Sequence, residues 1–308
     1  MSRPEIRPFA EDHLDDAARL LAARHARHRA VEPLLPTNVD FREQIERERD
    51  DLGGVVAVAD GETVGYLLGR RREDKVGPHV WSYIAGHAVD DPELVRDLYA
   101  AAAADWVEAG LTRHFVYVPA LPELVDPWFR LSFGASAALA ARETSPDLAL
   151  DDRVAIREST PDDVRAAAQL ERLMGESMLP SPSFSYHEPE DESALVEEWA
   201  NTWDETETYH HFVAERDGSI VGHILLYHRP PDLRVPADSI DLAQASTPPV
   251  ERGSGIGVAL TRYVIRWAFE RGYPTMITDW RMTNPLASRF WPKRGFRESF
   301  LRLYRSIP

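Results

Sequence analysis

A glycine cluster that follows a strand-like segment is the clearest candidate for ligand binding in this sequence. Residues 239–247 have the pattern of a strand, two prolines end it, and the residues RGSGIG (252–257) open an amphipathic helix. The first N–H groups of a helix have no intrahelical partner, and the helix dipole adds positive potential beside them. Glycines let such a backbone approach an anion closely, so the pattern predicts a loop that cradles a pyrophosphate.

The spacing of the glycines argues against two common phosphate motifs. The loop has G-x-G-x-G where dinucleotide-binding folds have G-x-G-x-x-G, and no acidic residue about 20 positions on ends a second strand. It also lacks the G-K-[ST] of a nucleotide-hydrolysing P-loop. Glycines that only make a structural turn remain an alternative on the evidence of the loop alone.

Two motifs in the same half of the chain carry a family resemblance. The first is R-x-x-G-x-G at residues 252–257, and the second is N-x-x-A-x-x-F-W-x-x-x-G-F at residues 284–296. In this order they resemble the acyl-CoA loop and the second motif of the GCN5-related N-acetyltransferase (GNAT) family. The resemblance covers residues 152–308 well. It implies an α/β fold with a mixed sheet, an N-acetyltransferase activity, and acetyl-CoA (coenzyme A) as the cofactor.

The resemblance also implies which residues hold that cofactor. In the family, backbone amides of the glycine loop bind the pyrophosphate, and the pantetheine arm pairs like an added strand with the segment before the loop. The family's asparagine, here Asn284, hydrogen-bonds the pantetheine. The implied cofactor-binding residues are Ala245, Ser246, Thr247, Arg252, Gly253, Ser254, Gly255, Ile256, Gly257, Val258, Asn284, Phe290 and Trp291.

The residue after Phe290 departs from the family pattern. This position is often a tyrosine that serves as general acid to the leaving thiolate, whereas here it is Trp291. An indole N–H donates a hydrogen bond but does not give up its proton near neutral pH. We expect Tyr304 to protonate the thiolate. The alternatives are Tyr263, Ser288, water, or a thiolate that leaves unassisted.

The general base is expected on the strand before the glycine loop. Direct attack needs a neutral amine, so a carboxylate or an ordered water should take its proton. With strict alternation along the strand, Asp241 shares a face with Ala245 and Thr247. It also lies close to where histone-type acetyltransferases, by resemblance, place a catalytic glutamate. We therefore predict Asp241 as the base, with a structural carboxylate as the alternative. The rivals are Asp238, Glu215 and His223.

Acidic residues concentrate where the family usually builds its acceptor pocket. Residues 173–215 contain 11 acidic residues and no lysine or arginine, whereas residues 252–308 contain 11 basic and 3 acidic residues. The loop at 179–192 is rich in proline, serine and aromatic residues, and we interpret it as a lid. We expect the acceptor to be a primary amine of a cationic small molecule or peptide. The expected acceptor-binding residues are Phe184, Tyr186, Glu188 and Trp199.

Several features recur in the same order in both halves of the chain. The strand-like residues 6–7 and 156–157 each precede an acidic helix start, and the Asp-Gly pairs at 60–61 and 217–218 each separate two β-rich runs. We interpret the chain as two tandem copies of one unit, a domain at 1–150 and a domain at 151–308. In place of the glycine loop, the first copy has HAVDDPELVRDLY (87–99), which is acidic and lacks glycine. We predict that this first domain is degenerate and supports the active second domain.

Composition narrows the classes of function. The 308 residues carry 35 basic and 51 acidic side chains, a formal net charge of −16, which disfavours nonspecific nucleic-acid binding. The lack of cysteine excludes disulfides and thiolate chemistry. No histidine set has metal-ligand spacing, and neither a signal peptide nor a membrane helix is predicted. We expect a cytoplasmic monomer or homodimer, with a non-catalytic acyl-CoA-binding or regulatory protein as the alternative to an enzyme.

Overall fold

A similar order of strands and helices occurs twice along the chain. The computed structural model describes residues 4–50, 52–74, 77–148, 154–185, 191–205 and 207–308. The chain divides into two units, of which the first comprises Met1–Leu139, Pro231–Pro236 and Glu298–Pro308, and the second Ala140–Pro230 and Ala237–Arg297. Within the described residues, no helix is both long enough and apolar enough to cross a membrane.

The first unit begins with a strand, a helix and a hairpin. Its longest helix has acidic residues in the first turn and basic residues in the last, an order that suits the helix dipole. The elements are β1 (Glu5–Pro8), α1 (Leu14–Val31), α2 (Phe41–Glu46), β2 (Gly54–Ala59), β3 (Glu62–Leu68), β4 (Arg70–Asp74), β5 (Gly77–Ser82), β6 (His87–Val89), α3 (Leu94–Glu108), β7 (Arg113–Pro119), α4 (Pro122–Arg130) and β8 (Gly134–Glu143). From Ala140 onward, β8 belongs to the second unit.

The second unit has a similar order, but a single strand follows its hairpin where the first unit has β4, β5 and β6. Its elements are β9 (Ala155–Glu158), α5 (Val164–Met178), α6 (Glu192–Asp204), β10 (Tyr209–Arg216), β11 (Ser219–Tyr227), β12 (Ser239–Ser246), α7 (Ile256–Glu270), β13 (Thr275–Arg281) and α8 (Pro285–Phe290). The strand order is β13-β12-β11-β10-β9. Strands β12 and β13 are parallel and joined by α7, whereas the other neighbours pair antiparallel. The predicted α/β class with a mixed sheet is confirmed.

The last strand of the chain, β14 (Arg297–Ser306), belongs almost entirely to the first unit. It pairs antiparallel with β7, with Leu303 opposite Val116, and the strand order there is β4-β5-β7-β14-β8. Phe300 and Leu303 are buried in the cores of that unit. The predicted domain at 151–308 includes this strand, so the unit boundaries differ from the prediction. Backbone pairing and burial with β7, rather than sequence order, set the place of β14.

The two hairpins of the repeat share their turn and their irregularity. Asp60-Gly61 and Asp217-Gly218 all have positive φ angles, between 51° and 87°, which is the conformation of a type I′ hairpin turn. Each hairpin also has a register shift at an equivalent place, directly after Ala57 in one and after Ala214 in the other. The Asp-Gly signal in the sequence therefore predicted both hairpins correctly.

Apolar side chains from both sides of each hairpin form the cores. In the first unit, α3 packs against β2 and β3 through residues such as Leu98, and α1 covers the opposite side through Leu20. In the second unit, α5 and α6 form a small core around Ala167 and Trp199 that packs against β11. On the other side, α7 contacts β10, β11 and β12. These layers fix the ends of β11 and β12 relative to α7.

Candidate functional site

A cavity of 450 Å³ lies in the second unit where β11 and β12 meet the start of α7 and the segment from Asn284 to Arg294. All of the predicted cofactor-binding residues except Ser254 line this cavity. The hydroxyl of Ser254 instead donates to the carbonyl oxygen of Glu251, at 2.6 Å. The structure therefore brings together two sequence motifs that lie on either side of α7.

A gap between two parallel strands opens beside the cavity. Strands β12 and β13 pair from Ser239 to Leu242, opposite Thr275 to Thr278. After Leu242, β12 continues to Ser246 while its described pairing with β13 ends. The edge of β12 beyond this point has the geometry that an extended ligand could pair with as an added strand.

Left-handed backbone shapes the glycine loop. Gly253 and Gly255 have φ angles of +85° and +94°, which side chains with a Cβ rarely adopt. Gly255 is the N-cap of α7, and no side chain caps this helix end. The N–H groups of Ile256, Gly257 and Val258 therefore have no intrahelical partner, and all three residues line the cavity. This arrangement suits an anionic group.

Charged side chains adjust the potential around the loop. The carboxylate of Glu251 lines the cavity and would repel a phosphate, but it is ion-paired with Arg216 of β10. Arg252 and Arg294 also line the cavity. The guanidinium of Arg294 lies 4.3 Å from the ring centroid of Phe290, and burial lowers its pKa. The loop thus has cationic side chains on both of its flanks.

Asn284 ends the loop after β13 and starts α8. Its side-chain oxygen accepts hydrogen bonds from the backbone N–H groups of Leu286 and Ala287, at 3.0 and 3.4 Å. This N-cap explains why an asparagine precedes the helix. The amide nitrogen of Asn284 takes no part in the cap, so the same side chain is able to donate to a ligand in the cavity.

A bulge at Ala243 changes which residues of β12 share a face. On β11, His223 lies opposite Ser246 and Tyr227 lies opposite Asp241, so four steps on one strand match five on the other. Opposite residues of an antiparallel pair share a face, and so do His223 and Tyr227. Asp241 therefore faces the same side as Ser246. The prediction that Asp241 shares a face with Ala245 and Thr247 is wrong, because the extra residue shifts the alternation by one.

Asp241 forms a buried ion pair. Its side chain is 3% exposed, and its Oδ2 lies 2.5 Å from Nη2 of Arg229 and accepts a hydrogen bond from Nε at 2.8 Å. Asp241 is not among the residues that line the cavity. The ion pair with Arg229 accounts for the burial of this charge. Because Asp241 does not line the cavity, the structure does not support its predicted role as the base.

The predicted acid and its alternatives also lie away from the cavity wall. Tyr304 is on β14 in the first unit, where its ring centroid is 4.7 Å from that of Phe115. Tyr263 packs against Phe212, and the Ser288 hydroxyl donates to the Asn284 carbonyl oxygen. The strand that carries Tyr304, β14, pairs with β7 of the first unit.

The predicted acceptor-binding residues are scattered. Phe184 is 74% exposed in the loop after α5 and does not line the cavity. Trp199 is 2% exposed, packs in the core between α5 and α6, and donates from its indole N–H to Glu171. Tyr186 and Glu188 lie outside the described residues. The burial of Trp199 follows from its position on the apolar face of α6.

The cavity wall also includes Met174 and Ser177, which the sequence did not single out, and His223, which it named only as a rival base. His223 is fully buried, and its Nδ1 lies 3.1 Å from Nε2 of His211. In turn, Nδ1 of His211 lies 2.7 Å from the hydroxyl of Ser159. Burial lowers the pKa of His223 well below 6.5 and that of His211 to about 4, so both rings are neutral at neutral pH. The pairing of β10 with β11 was the available signal, since it places both histidines on one face.

The corresponding region of the first unit is filled. Arg24 of α1 is 3% exposed, and its guanidinium donates to the carbonyl oxygens of Ile84 and His87. Burial lowers its pKa to about 10, so it remains charged at neutral pH. The space between Arg24 and Trp128 is 10 Å³, about the volume that one water needs. This space is too small for a cofactor.

The sequence model of the acetyltransferase (GNAT) family matches residues 173–296. No curated protein matches the chain at a significant level. This part of the chain therefore resembles the GNAT family in sequence, and the fold of the whole chain is that of tandem GNAT structures.

Solved structures show the same fold over the full length. A GCN5-related N-acetyltransferase from Sphaerobacter thermophilus is 17% identical, with a TM-score of 0.62 over 99% of this chain and 96% of that one. A tandem GNAT protein from the clavulanic acid biosynthesis pathway is 13% identical, with a TM-score of 0.53 and 99% of both chains covered. A GNAT-family acetyltransferase from Colwellia psychrerythraea is 13% identical, with a TM-score of 0.51 over 99% of this chain and 100% of that one.

Proposed function

We propose that this protein transfers an acetyl group from acetyl-CoA to a primary amine. The observation that carries the proposal is the cavity that joins the open edge of β12, the glycine loop at the start of α7, and Asn284. The edge of β12 suits the pantetheine arm of the cofactor, and the N-terminus of α7 suits its pyrophosphate. The flanking Arg252 and Arg294 add positive charge.

The chemistry requires one proton to leave the amine. The nitrogen lone pair attacks the thioester carbonyl carbon, a C–N bond forms, and the C–S bond breaks with its electron pair on sulfur. The thiolate leaves with or without protonation, and a base or a water takes the proton of the amine. Asp241 and Tyr304 are the sequence-based candidates for these two roles, but neither is among the described residues that line the cavity.

We propose a cationic acceptor, a small molecule or a peptide. The exposed side chains of α5 and α6 include Glu176, Glu197 and Glu198, while Met174 and Ser177 of α5 contribute to the cavity wall. A surface with this excess of acid attracts cationic molecules and disfavours anionic ones. Comparing kcat/KM for polyamines, basic peptides, neutral amines and amino acids tests this proposal. A preference for anionic amines would contradict it.

We further propose that the first unit supports the second without binding acetyl-CoA itself. The filled space at Arg24 and the acidic segment at 87–99 argue for this role. Titration with CoA should therefore give one site per chain. A cytoplasmic monomer or homodimer remains our expectation, and sedimentation of the purified chain tests the oligomeric state.

The decisive experiment measures thiol release. Acetyl-CoA is incubated with the protein and a panel of amines, and free CoA is detected with a thiol reagent while the acetylated product is identified by mass spectrometry. The second candidate is a non-catalytic acyl-CoA-binding protein, which is favoured by the tryptophan at position 291 and by the finding that Tyr304 is not among the described residues that line the cavity. Binding of CoA without amine-dependent thiol release across the panel would support that candidate.

A further inference from the structure

We propose that His223, His211 and Ser159 form a proton relay that accepts the proton of the attacking amine and conducts it out of the cavity. The proposal deepens the acyltransferase function and rests on it. In this scheme His223 is the base at the cavity, and the other two residues carry the proton onward. None of the three belongs to the motifs by which the sequence resembles its family.

The inner end of the relay is an unpaired ring nitrogen. His223 is 0% exposed and lines the cavity, and its Nδ1 is engaged with His211 at 3.1 Å. Among the described residues, its Nε2 has no hydrogen-bond partner. The two nitrogens of an imidazole point in nearly opposite directions, so Nε2 points away from His211 and β10. A buried polar atom without a partner is destabilising, and a bound polar ligand would satisfy it.

The outer end of the relay reaches a half-buried hydroxyl. Ser159 directly follows β9, and its Oγ lies 2.7 Å from Nδ1 of His211. The backbone N–H of Ser159 also donates to the carbonyl oxygen of His211, at 2.8 Å, which fixes the register of the two residues. The chain of hydrogen bonds thus runs from the cavity across β11 and β10 to a partly exposed position.

A tryptophan holds the two rings in place. The ring centroid of Trp199 lies 4.7 Å from that of His211 and 5.4 Å from that of His223. Its own indole N–H is engaged by Glu171, so its orientation is fixed. Trp199, predicted from the sequence to bind the acceptor, therefore acts in this proposal as a positioning residue for the relay.

Each proton in the relay has a donor and an acceptor. The amine gives its proton to Nε2 of His223, whose Nδ1–H passes to Nε2 of His211. The Nδ1–H of His211 passes to Oγ of Ser159, and the Ser159 hydroxyl proton leaves to solvent water. Meanwhile the C–N bond forms and the C–S bond breaks. Each ring gains a proton at one nitrogen and gives one up from the other, so neither ring has to hold the positive charge that burial disfavours.

Two carboxylates in or near the cavity wall are ion-paired with arginines. Glu251 lines the cavity but is ion-paired with Arg216, and Asp241 is ion-paired with Arg229 and does not line it. His223 therefore combines a place in the cavity wall with a ring nitrogen that has no partner among the described residues.

The test compares His223→Ala and Ser159→Ala with the matched control His210→Ala. His210 neighbours the relay in sequence, but its ring packs against Trp267, at 4.7 Å between centroids. We expect kcat of His223→Ala to fall by about 10²–10⁴-fold, the usual contribution of a general base. The dissociation constant of CoA should change by less than about twofold in all three variants, because no relay residue lies in the glycine loop.

Two further readouts separate a relay from a packing role. Added imidazole should restore turnover of His223→Ala in proportion to its neutral form, since it would occupy the space of the missing ring. In nitrogen NMR, the ring signals of both His211 and His223 should differ between the wild-type protein and Ser159→Ala, because the two rings and the serine share one hydrogen-bonded chain. Neither effect is expected from loss of packing alone.

The outcomes distinguish the relay from the function on which it rests. An active wild type whose His223→Ala variant keeps its kcat, or is insensitive to imidazole, overturns the relay alone. A wild type that binds CoA but releases no thiol with any amine overturns the acyltransferase function and the relay with it. Slow turnover of His223→Ala with imidazole rescue and unchanged CoA binding supports both.

Discussion

Arg24 of α1 and Met174 of α5 occupy equivalent positions in the two units, with opposite consequences for the space beside them. The strands and helices that carry them follow the same order, and α1 and α5 begin at Leu14 and Val164. Met174 contributes to the wall of the open cavity, whereas Arg24 fills the equivalent region and donates to two carbonyl groups. The side chain at this position of the first long helix therefore helps to determine whether the space beside it is filled, as in the first unit, or forms a cavity, as in the second.

Replacing Arg24 with alanine should destabilise the protein without creating a second cofactor site. The carbonyl groups of Ile84 and His87 would lose their buried donors, at a cost of about 1–3 kcal/mol in the free energy of unfolding. The first unit would still lack a glycine loop, so the CoA stoichiometry should stay at one. Urea denaturation and calorimetric titration measure the two effects.

The control for this change is Arg96→Ala, because Arg96 is exposed and ion-paired only with Glu93 among its described contacts. It should alter stability by less than about 0.5 kcal/mol. Appearance of a second CoA site in Arg24→Ala would contradict the view that the first unit lost its cofactor loop as well as its space.

Gly255 and Gly272 flank the same helix, and alanine substitutions at the two positions distinguish an effect of backbone strain from an effect on cofactor binding. Both have positive φ angles, +94° and +83°, so alanine at either position should cost about 1–2 kcal/mol in stability. Only Gly255→Ala disturbs the backbone that cradles the pyrophosphate. We expect it to weaken CoA binding at least about tenfold, equivalent to about 1.4 kcal/mol, while Gly272→Ala keeps the wild-type dissociation constant. Equal losses of affinity in both variants would refute this assignment.

Gly222 and Gly65 form a second matched pair, one in each hairpin. A Cβ at Gly222 would lie 3.0 Å from atoms of Ile256, Leu260 and Thr247, all of which line the cavity. A Cβ at Gly65 would meet side chains of α3 and β6 at similar distances. Either alanine substitution should lower the free energy of unfolding by about 1–3 kcal/mol, because the added methyl group overpacks its surroundings.

Cofactor affinity should distinguish the two alanines. We expect Gly222→Ala to raise the dissociation constant of CoA, because it displaces the start of α7, and Gly65→Ala to leave it unchanged. Thermal denaturation with and without CoA measures both properties in one experiment. A weaker affinity in Gly65→Ala would show that the first unit contributes to the cofactor site.

Asp163 should make stability depend on acid pH. Two hydrogen bonds from Arg157, at 2.7 and 3.0 Å, are the main reason that its pKa falls from 3.8 to about 2. A carboxyl with a depressed pKa in the folded state stabilises above its unfolded pKa and loses that contribution as pH falls through the folded value. Asp163 therefore contributes about 2 kcal/mol above pH 4, which disappears between about pH 4 and pH 2.

The measurement for Asp163 is a series of urea denaturations of Asp163→Asn and wild type between pH 2 and pH 7. The two stabilities should converge at the acid end and differ by about 2 kcal/mol at pH 7. The neighbouring and exposed Asp162→Asn is the control, and it should follow the wild-type curve. A difference that persists unchanged to pH 2 would point to packing rather than charge.

The sequence motifs predicted most residues of the cavity wall, and contacts between distant segments did not follow from them. The glycine loop and the Asn284 motif are each short runs of sequence, and the family resemblance implied that both face one ligand. The bulge at Ala243 has no residue signature, and it moved Asp241 to the other face of β12. The contact of His211 with His223 depends on hairpin register, which the sequence specified only through the turn.

The place of β14 has a consequence for the order in which the chain becomes structured. This strand lies between β7 and β8, yet in sequence it follows every other strand of the first unit. While the N-terminal half emerges from the ribosome, its sheet lacks an interior strand, and the exposed edge of β7 has no partner from β14. The first unit therefore completes folding only after β14 has been synthesised, and a nascent chain stalled before Arg297 should remain a client for chaperones.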